Sequence, residues 1–239
     1  MTVVLLASDP LPGGPEDDVA LGPRLLRDGP GGGREFLRIH SPAPTAAFSR
    51  RDTLRPGYPA AAEAVRRLGC TPVVRPQGGS LAVYHRGSVV IDHVYRTPDA
   101  SRDPVERFRR FAALHASVLT GLGVDARIGA VAGEYCPGEY SVNIGGTRKV
   151  VGSAQRVTRD GWLFSSIVQV TGADALRGPL VVAYRQLGYD FDPDTVGTVQ
   201  DDAPGVTVEA VTAALLAAYG VTPPRRAGPA RQADSTVSG

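Results

Sequence analysis

The chain has 239 residues, 42% of them hydrophobic and 21% charged, with a formal net charge of +2. This is ordinary globular material of a length that a single core accommodates, since cores grow to roughly 250 residues before chains divide. The small charge, with no basic face interleaved with aromatics, argues against a nucleic-acid partner. No apolar run approaches the ~20 residues of a membrane span, and the opening "MTVVLLASDP" lacks a basic leader. A soluble, cytoplasmic protein is expected, with no membrane partner.

In chain order, "PEDDVALGPRLLRDG" begins acidic, spaces Val19, Leu21, Leu25 and Leu26 helically and ends in Gly, which predicts a first amphipathic helix. "REFLRIH" alternates as a strand, and "SPAPTAAFSRRDTLRPG" reads as a loop-rich passage around a short apolar piece. "YPAAAEAVRRLG" predicts a second helix closed by Gly69. "TPVVRPQGGSLAVYHRGSVVIDHVY" reads as β segments around a glycine loop, with a further turn near Arg86 and Gly87. "DPVERFRRFAALHASVLTGLG" carries the clearest helix start: Asp103 as cap, Pro104 in the first turn and Glu106 at capping-box spacing. Phe108, Ala112, His115 and Leu119 then share the face that packs on a sheet.

Beyond it, "GGT" and "RDG" punctuate three β runs between Glu134 and Val170. Trp162 and Phe164 read as packing residues on the third run. Asp174, Asp190, Asp192 and Asp194 read as loop and cap residues. "ALRGPLVVAYRQLG" and "TVEAVTAALLAAYG" predict two more helices, the last stopped by Gly220. Residues 1–221 are expected to form one domain, and the aperiodic Pro-, Arg- and Ala-rich residues 222–239 a disordered tail.

Two stretches carry candidate chemistry. In "RPQGGSLAVYH", Gly78 and Gly79 permit close backbone approach and expose N–H groups to an anion or polarised carbonyl, with Arg75 as the matching charge; a plain Gly-Gly turn is the alternative. The stretch is neither a Walker loop nor a dinucleotide fingerprint, and His85 alone reads as a structural histidine. The second stretch is "RKVVGSAQ". Among 26 lysines and arginines, Lys149 is the only lysine. An ammonium is a compact point charge where guanidinium is a broad fork, so a lone lysine marks a place arginine does not serve. Gly152, Ser153 and Ala154 keep this run slim enough for a ligand to lie against it, or for a close backbone crossing.

Cys136 lies in a turn-rich loop, where exposure makes a thiol usable. Cys70, at the entry to a strand, reads as core. The cysteines form no CxxC, so neither a metal site nor a disulfide framework is expected.

In order and spacing these stretches resemble the biotin and lipoate protein ligase superfamily, specifically the catalytic domains of lipoate-protein ligase A and the octanoyltransferases. "RPQGGSLAVYH" follows that family's "RR-x-[ST]-G-G-[GR]-A-V-x-H" through Arg75, Gly78, Gly79, Ala82, Val83 and His85. "GTRKVVGSAQ" follows its "G-x-K-[IV]-x-G-S-A" through Lys149, Gly152, Ser153 and Ala154. "EDDVALGPRLL" and "PTAAFSRRD" stand where the family has its early helix and strand.

The resemblance implies an α/β domain of α+β type, with a central mostly antiparallel sheet flanked by helices. It implies acyl transfer to the lysine of a lipoyl carrier domain, of the 2-oxoacid dehydrogenase E2 or glycine cleavage H protein type, with acyl carrier protein as a further donor. Lys149 would hold the acyl carbonyl oxygen, Gly78, Gly79, Ala82 and His85 would line the acyl site with Gly152, Ser153 and Ala154, and Arg75 would stand near the carboxyl end. Lipoate or octanoate is the implied acyl substrate, with no tightly bound cofactor.

"RP" for "RR", the "SL" after the glycines and Asn143 in place of "G-R-N-D" weigh against ATP use. Cys136 instead stands near the nucleophile of cysteine-dependent octanoyltransferases, which implies a thioester on its sulfur. The alternatives are an ATP- and Mg-dependent lipoate-protein ligase, a noncatalytic lipoate-binding homologue and a specialised amide-forming enzyme.

Overall fold

The computed structural model describes residues 3–6, 9–29, 34–98 and 103–221. The tail expected from residue 222 lies outside them. Among the described residues two sheets form. The larger has seven strands, in the spatial order β1 (Val4–Leu5), β2 (Glu35–His40), β6 (Ser88–Arg96), β10 (Gly161–Gln169), β9 (Arg148–Thr158), β8 (Val142–Ile144) and β7 (Ala126–Ile128). Every pairing in it is antiparallel except β1 with β2. The smaller sheet sets β3 (Thr45–Phe48) between β4 (Thr71–Val74), parallel to it, and β5 (Ala82–Tyr84), antiparallel. This is the expected mostly antiparallel α/β arrangement, divided into two sheets.

The sheet's two faces have different chemistry. On one face, Leu37, Ile39, Val89, Ile91, Val151 and Val168 pack beneath α4 (Pro104–Gly121) and α6 (Val208–Ala218), with Ala112, Leu119, Val211 and Leu215 buried in the same cluster. Burial of a side chain such as Leu119, 1% exposed, contributes about 2 kcal/mol. Phe111, Trp162, Phe164 and His93 extend this layer edge to face, so Trp162 and Phe164 are packing residues as expected. The opposite face meets α1 (Pro15–Asp28), whose Gly22 lies so close to Leu163 that a Cβ would stand 2.7 Å from that side chain. The small sheet is covered by α3 (Tyr58–Arg67) and α5 (Ala173–Leu187) around Phe48, Val65, Leu180 and Ala183.

Local signals account for most boundaries. Gly145 and Gly146, with φ of 58° and 83°, make the tight β8–β9 turn in which Thr147 N–H donates to Ile144 O at 3.0 Å. Two readings differ. The loop-rich passage after β2 contains strand β3 and a short helix, α2 (Arg50–Thr53), whose capping box of Ser49 and Asp52 buries both residues. Asp103 precedes α4 with φ 50° and ψ 51° and makes no side-chain cap bond, because a capping side chain needs an extended backbone to reach the first-turn N–H groups.

Candidate active site

A cavity of about 460 Å³ lies between the uncovered face of the large sheet, α1, β5 and two loops, one carrying residues 75–79 and the other residues 135–141. Arg75, Gly78, Gly79, Ala82, Cys136, Lys149, Gly152, Ser153 and Ala154 all line it. His85 does not. Its Nδ1 accepts from Gly87 N–H at 2.9 Å and its Nε2 stands 3.3 Å from Gly172 O, so the ring closes the β5–β6 turn outside the cavity.

Lys149 enters beside the β8–β9 turn and is only 2% exposed. Its stem runs over Gly152, where a Cβ would meet Cε at 3.2 Å, so the glycine leaves the path a lysine follows and a guanidinium would overfill. The ammonium donates to Cys136 O at 2.7 Å, Tyr135 O at 3.1 Å and Glu134 Oε1 at 3.2 Å. These bonds use all three of its donors. Glu134, fully buried, also accepts from Val131 N–H, Gly138 N–H and Ser141 Oγ. The lone lysine therefore holds the Cys136 loop in place, and a substrate oxygen would reach it only by replacing one of these acceptors.

Cys136 is held in an uncommon backbone conformation, φ 42°. Its N–H donates to Tyr184 Oη at 2.8 Å, and that hydroxyl donates to Leu81 O at 3.1 Å, which ties the loop to β5 through α5. The sulfur accepts from Ser80 N–H at 3.2 Å, and Arg75 Nη2 lies 4.0 Å from it while donating to Ser80 O at 2.8 Å. Arg51 fixes Ser80 further through its hydroxyl.

Gly79, at φ 94°, makes this approach possible: a Cβ there would sit 2.8 Å from Cys136 Sγ and 2.9 Å from Arg75 Nη2. Gly78 has nothing within 4 Å of its Cβ position. The glycine pair thus has unequal duties, the second making room for the thiol. Asn143 does not point to a phosphate; it bonds Gly129 O and Gly146 N–H and braces the β8–β9 turn. Cys70 is 6% exposed in the core, where burial pushes its thiol up.

A second group of residues was not anticipated. Strand pairing places Arg38 opposite Asp92 and Asp92 opposite Ser165, a row across β2, β6 and β10 on the cavity face. Ser165 Oγ donates to Asp92, and Gln77 Nε2 donates to Ser165 Oγ at 2.6 Å. Arg38 Nη2 donates to Asp18 Oδ1 of α1 at 2.7 Å. Burial raises Asp92 to about 6, opposed by the bond from Ser165. Burial and the adjacent Arg38 charge lower His40 to about 4. The available signal was Asp92 alone in the apolar run "SVVIDHVY", and Arg38 and His40 alternating with apolar residues in "FLRIH". Their common address required the register.

The sequence model of the family described as the lipoyl protein ligase A/B catalytic domain matches residues 17–220. An octanoyl-[GcvH]:protein N-octanoyltransferase of Geobacillus kaustophilus is 30% identical over 161 residues, 65% of this chain and 56% of that protein. One of the same description from Anoxybacillus flavithermus is 26% identical over 149 residues, 62% of this chain and 53% of that protein. The match thus spans about half the length of these relatives. A structure of a T. acidophilum protein with bound lipoic acid superposes with a TM-score of 0.71 at 19% identity, covering 92% of this chain and 84% of that one. A lipoate-protein ligase A bound with ATP gives 0.68 at 20% identity, covering 91% and 83%. These two likenesses are of fold. Among the described residues no helix is long and apolar enough to cross a membrane.

Proposed function

Given that this chain belongs to the lipoyl protein ligase A/B catalytic-domain family, we propose that it is an acyltransferase that moves an octanoyl-type group from a carrier thioester to the lysine of a lipoyl carrier domain, through a thioester on Cys136. The observation that carries this reading is the set of donors around the sulfur: Ser80 N–H at 3.2 Å and the Arg75 guanidinium at 4.0 Å, at the wall of a closed-in cavity. Such donors hold negative charge on sulfur and on a carbonyl oxygen brought to it.

The thiolate attacks the donor thioester, the bond from carbonyl to donor sulfur breaks, and the donor leaves as a thiolate that takes up a proton. The carrier lysine's neutral amine then attacks the Cys136 thioester, the C–S bond breaks, and the amine's proton passes to the departing sulfur. Lys149 acts first by fixing the loop: its bond to Cys136 O sets the thiol's position, and its charge favours the anionic states nearby. The catalytic unit is read as residues 1–221, with no tightly bound cofactor.

The relatives' description supports a GcvH-type protein as octanoyl donor and a lipoyl domain as acceptor. Intact-mass analysis after incubation with octanoyl-GcvH tests this: an octanoyl adduct on Cys136, lost in Cys136→Ser, is expected. Turnover that needs ATP and free lipoate, with no adduct, would assign ligation instead.

A further inference from the structure

The wall of the cavity away from Cys136 is charged. Gly152, against which Lys149 lies, is on β9, and Asp92 is on β6, two strand spacings or about 10 Å across the same sheet face. There Asp92, Asp18, His40, Gln77, Tyr84 and Ser165 line the cavity. An acyl tunnel for a plain hydrocarbon would be walled by aliphatic groups, because a methyl end stripping water from a carboxylate returns no hydrogen bond to it.

The group has acceptors to spare. Gln77 is 8% and His40 3% exposed, yet Gln77 Oε1 and His40 Nδ1 have no hydrogen-bond partner among the described residues. Asp18 Oδ2 is likewise unpartnered, its other oxygen engaged by Arg38 and by Leu11 N–H. Asp92 receives the hydroxyl of Ser165 and retains further acceptor capacity. In charge, Arg38 offsets Asp18, which leaves Asp92 as the unbalanced negative group when ionised.

We infer that this wall receives the far end of the acyl group, and that the preferred acyl chain ends in a hydrogen-bond donor, an amino or hydroxyl group, rather than in a methyl. Asp92 is the specificity-determining residue, accepting from that end, with Gln77 and His40 as its flanking partners. The inference rests on the cavity being the acyl site, as proposed above, and it does not depend on whether Cys136 or an adenylate activates the acid.

Direct calorimetric binding of octanoate, ω-hydroxyoctanoate and ω-aminooctanoate to the full chain, beside Cys136 acylation by the three N-acetylcysteamine thioesters, tests it. The polar-ended acids are expected to bind about ten- to hundredfold more tightly than octanoate. Asp92→Leu should abolish that preference. Asp92→Asn, which keeps an acceptor for Ser165, should reduce the amino preference more than the hydroxyl one and covers the case in which the leucine variant does not fold. The ratio of amino to hydroxyl binding tells which donor the site takes. Octanoate binding as tightly as the others, a preference that survives both variants, or no binding by any acid overturns the inference. If the binding preference holds while no thioester marks Cys136, the transferase reading fails and the inference stands.

Discussion

Replacing Gly79 by alanine, with Gly78→Ala as its control, separates what two adjacent glycines do. At Gly79 the backbone φ is 94°, a conformation that costs a residue with a Cβ about 1–2 kcal/mol. The loss of unfolded-state freedom returns about 0.4–1 kcal/mol. The new methyl would also stand 2.8 Å from Cys136 Sγ and 2.9 Å from Arg75 Nη2, so the thiol must leave the Ser80 N–H. The net expectation is a loss of about 1 kcal/mol or somewhat more, or about 2–4 °C in Tm for a chain of this size. Acyl-enzyme formation should fall about 10²-fold, the usual consequence of displacing a reacting atom by about 1 Å. Gly78 is open around its Cβ position, so Gly78→Ala should leave Tm unchanged or slightly raised. Thermal unfolding and the rate of Cys136 acylation, measured by intact mass, provide both readouts. Equal damage from the two substitutions, or full activity in Gly79→Ala, would refute the account of this loop.

Lys149→Met should abolish transfer and also lower stability by about 3–5 kcal/mol, because it leaves Glu134 buried without its countercharge; denaturant unfolding measures the second effect. Tyr184→Phe removes the acceptor for Cys136 N–H and should cost about 1–3 kcal/mol together with a slower acylation rate. His115, completely enclosed between α4 and α6, is lowered by burial to about 4 from an ordinary 6.5. Its folded value lies below its unfolded one, so the stability it permits is complete above pH 6.5 and is lost as the pH falls toward 4, by on the order of 3 kcal/mol. His40 acts in the same direction, whereas Asp92, raised to about 6, relieves its own penalty as it protonates. Chemical denaturation of the protein and of His115→Gln at pH 7.5 and pH 5 should show a shallower pH dependence in the variant, and parallel curves would exclude His115 as a contributor.

The amino-acid sequence by itself determined the features that depend on neighbours along the chain. Helical spacing in "YPAAAEAVRRLG", paired glycines at the β8–β9 turn and the ordered stretches around Gly78–Gly79 and Lys149 were legible because propensity, turn geometry and motif spacing act over a few residues. Asp103 shows the limit even there, since composition suited it to a cap and its backbone did not.

Only the tertiary structure decided what the lone lysine touches. Its three acceptors come from a loop 13 to 15 residues away, and their arrangement depends on how that loop folds over β9. It also separated His85 from the cavity and joined Arg38, Asp92 and Ser165 into one polar row. Strand register sets which distant side chains share a face, and a slip by one residue would have turned Asp92 into the layer beneath α4 and α6.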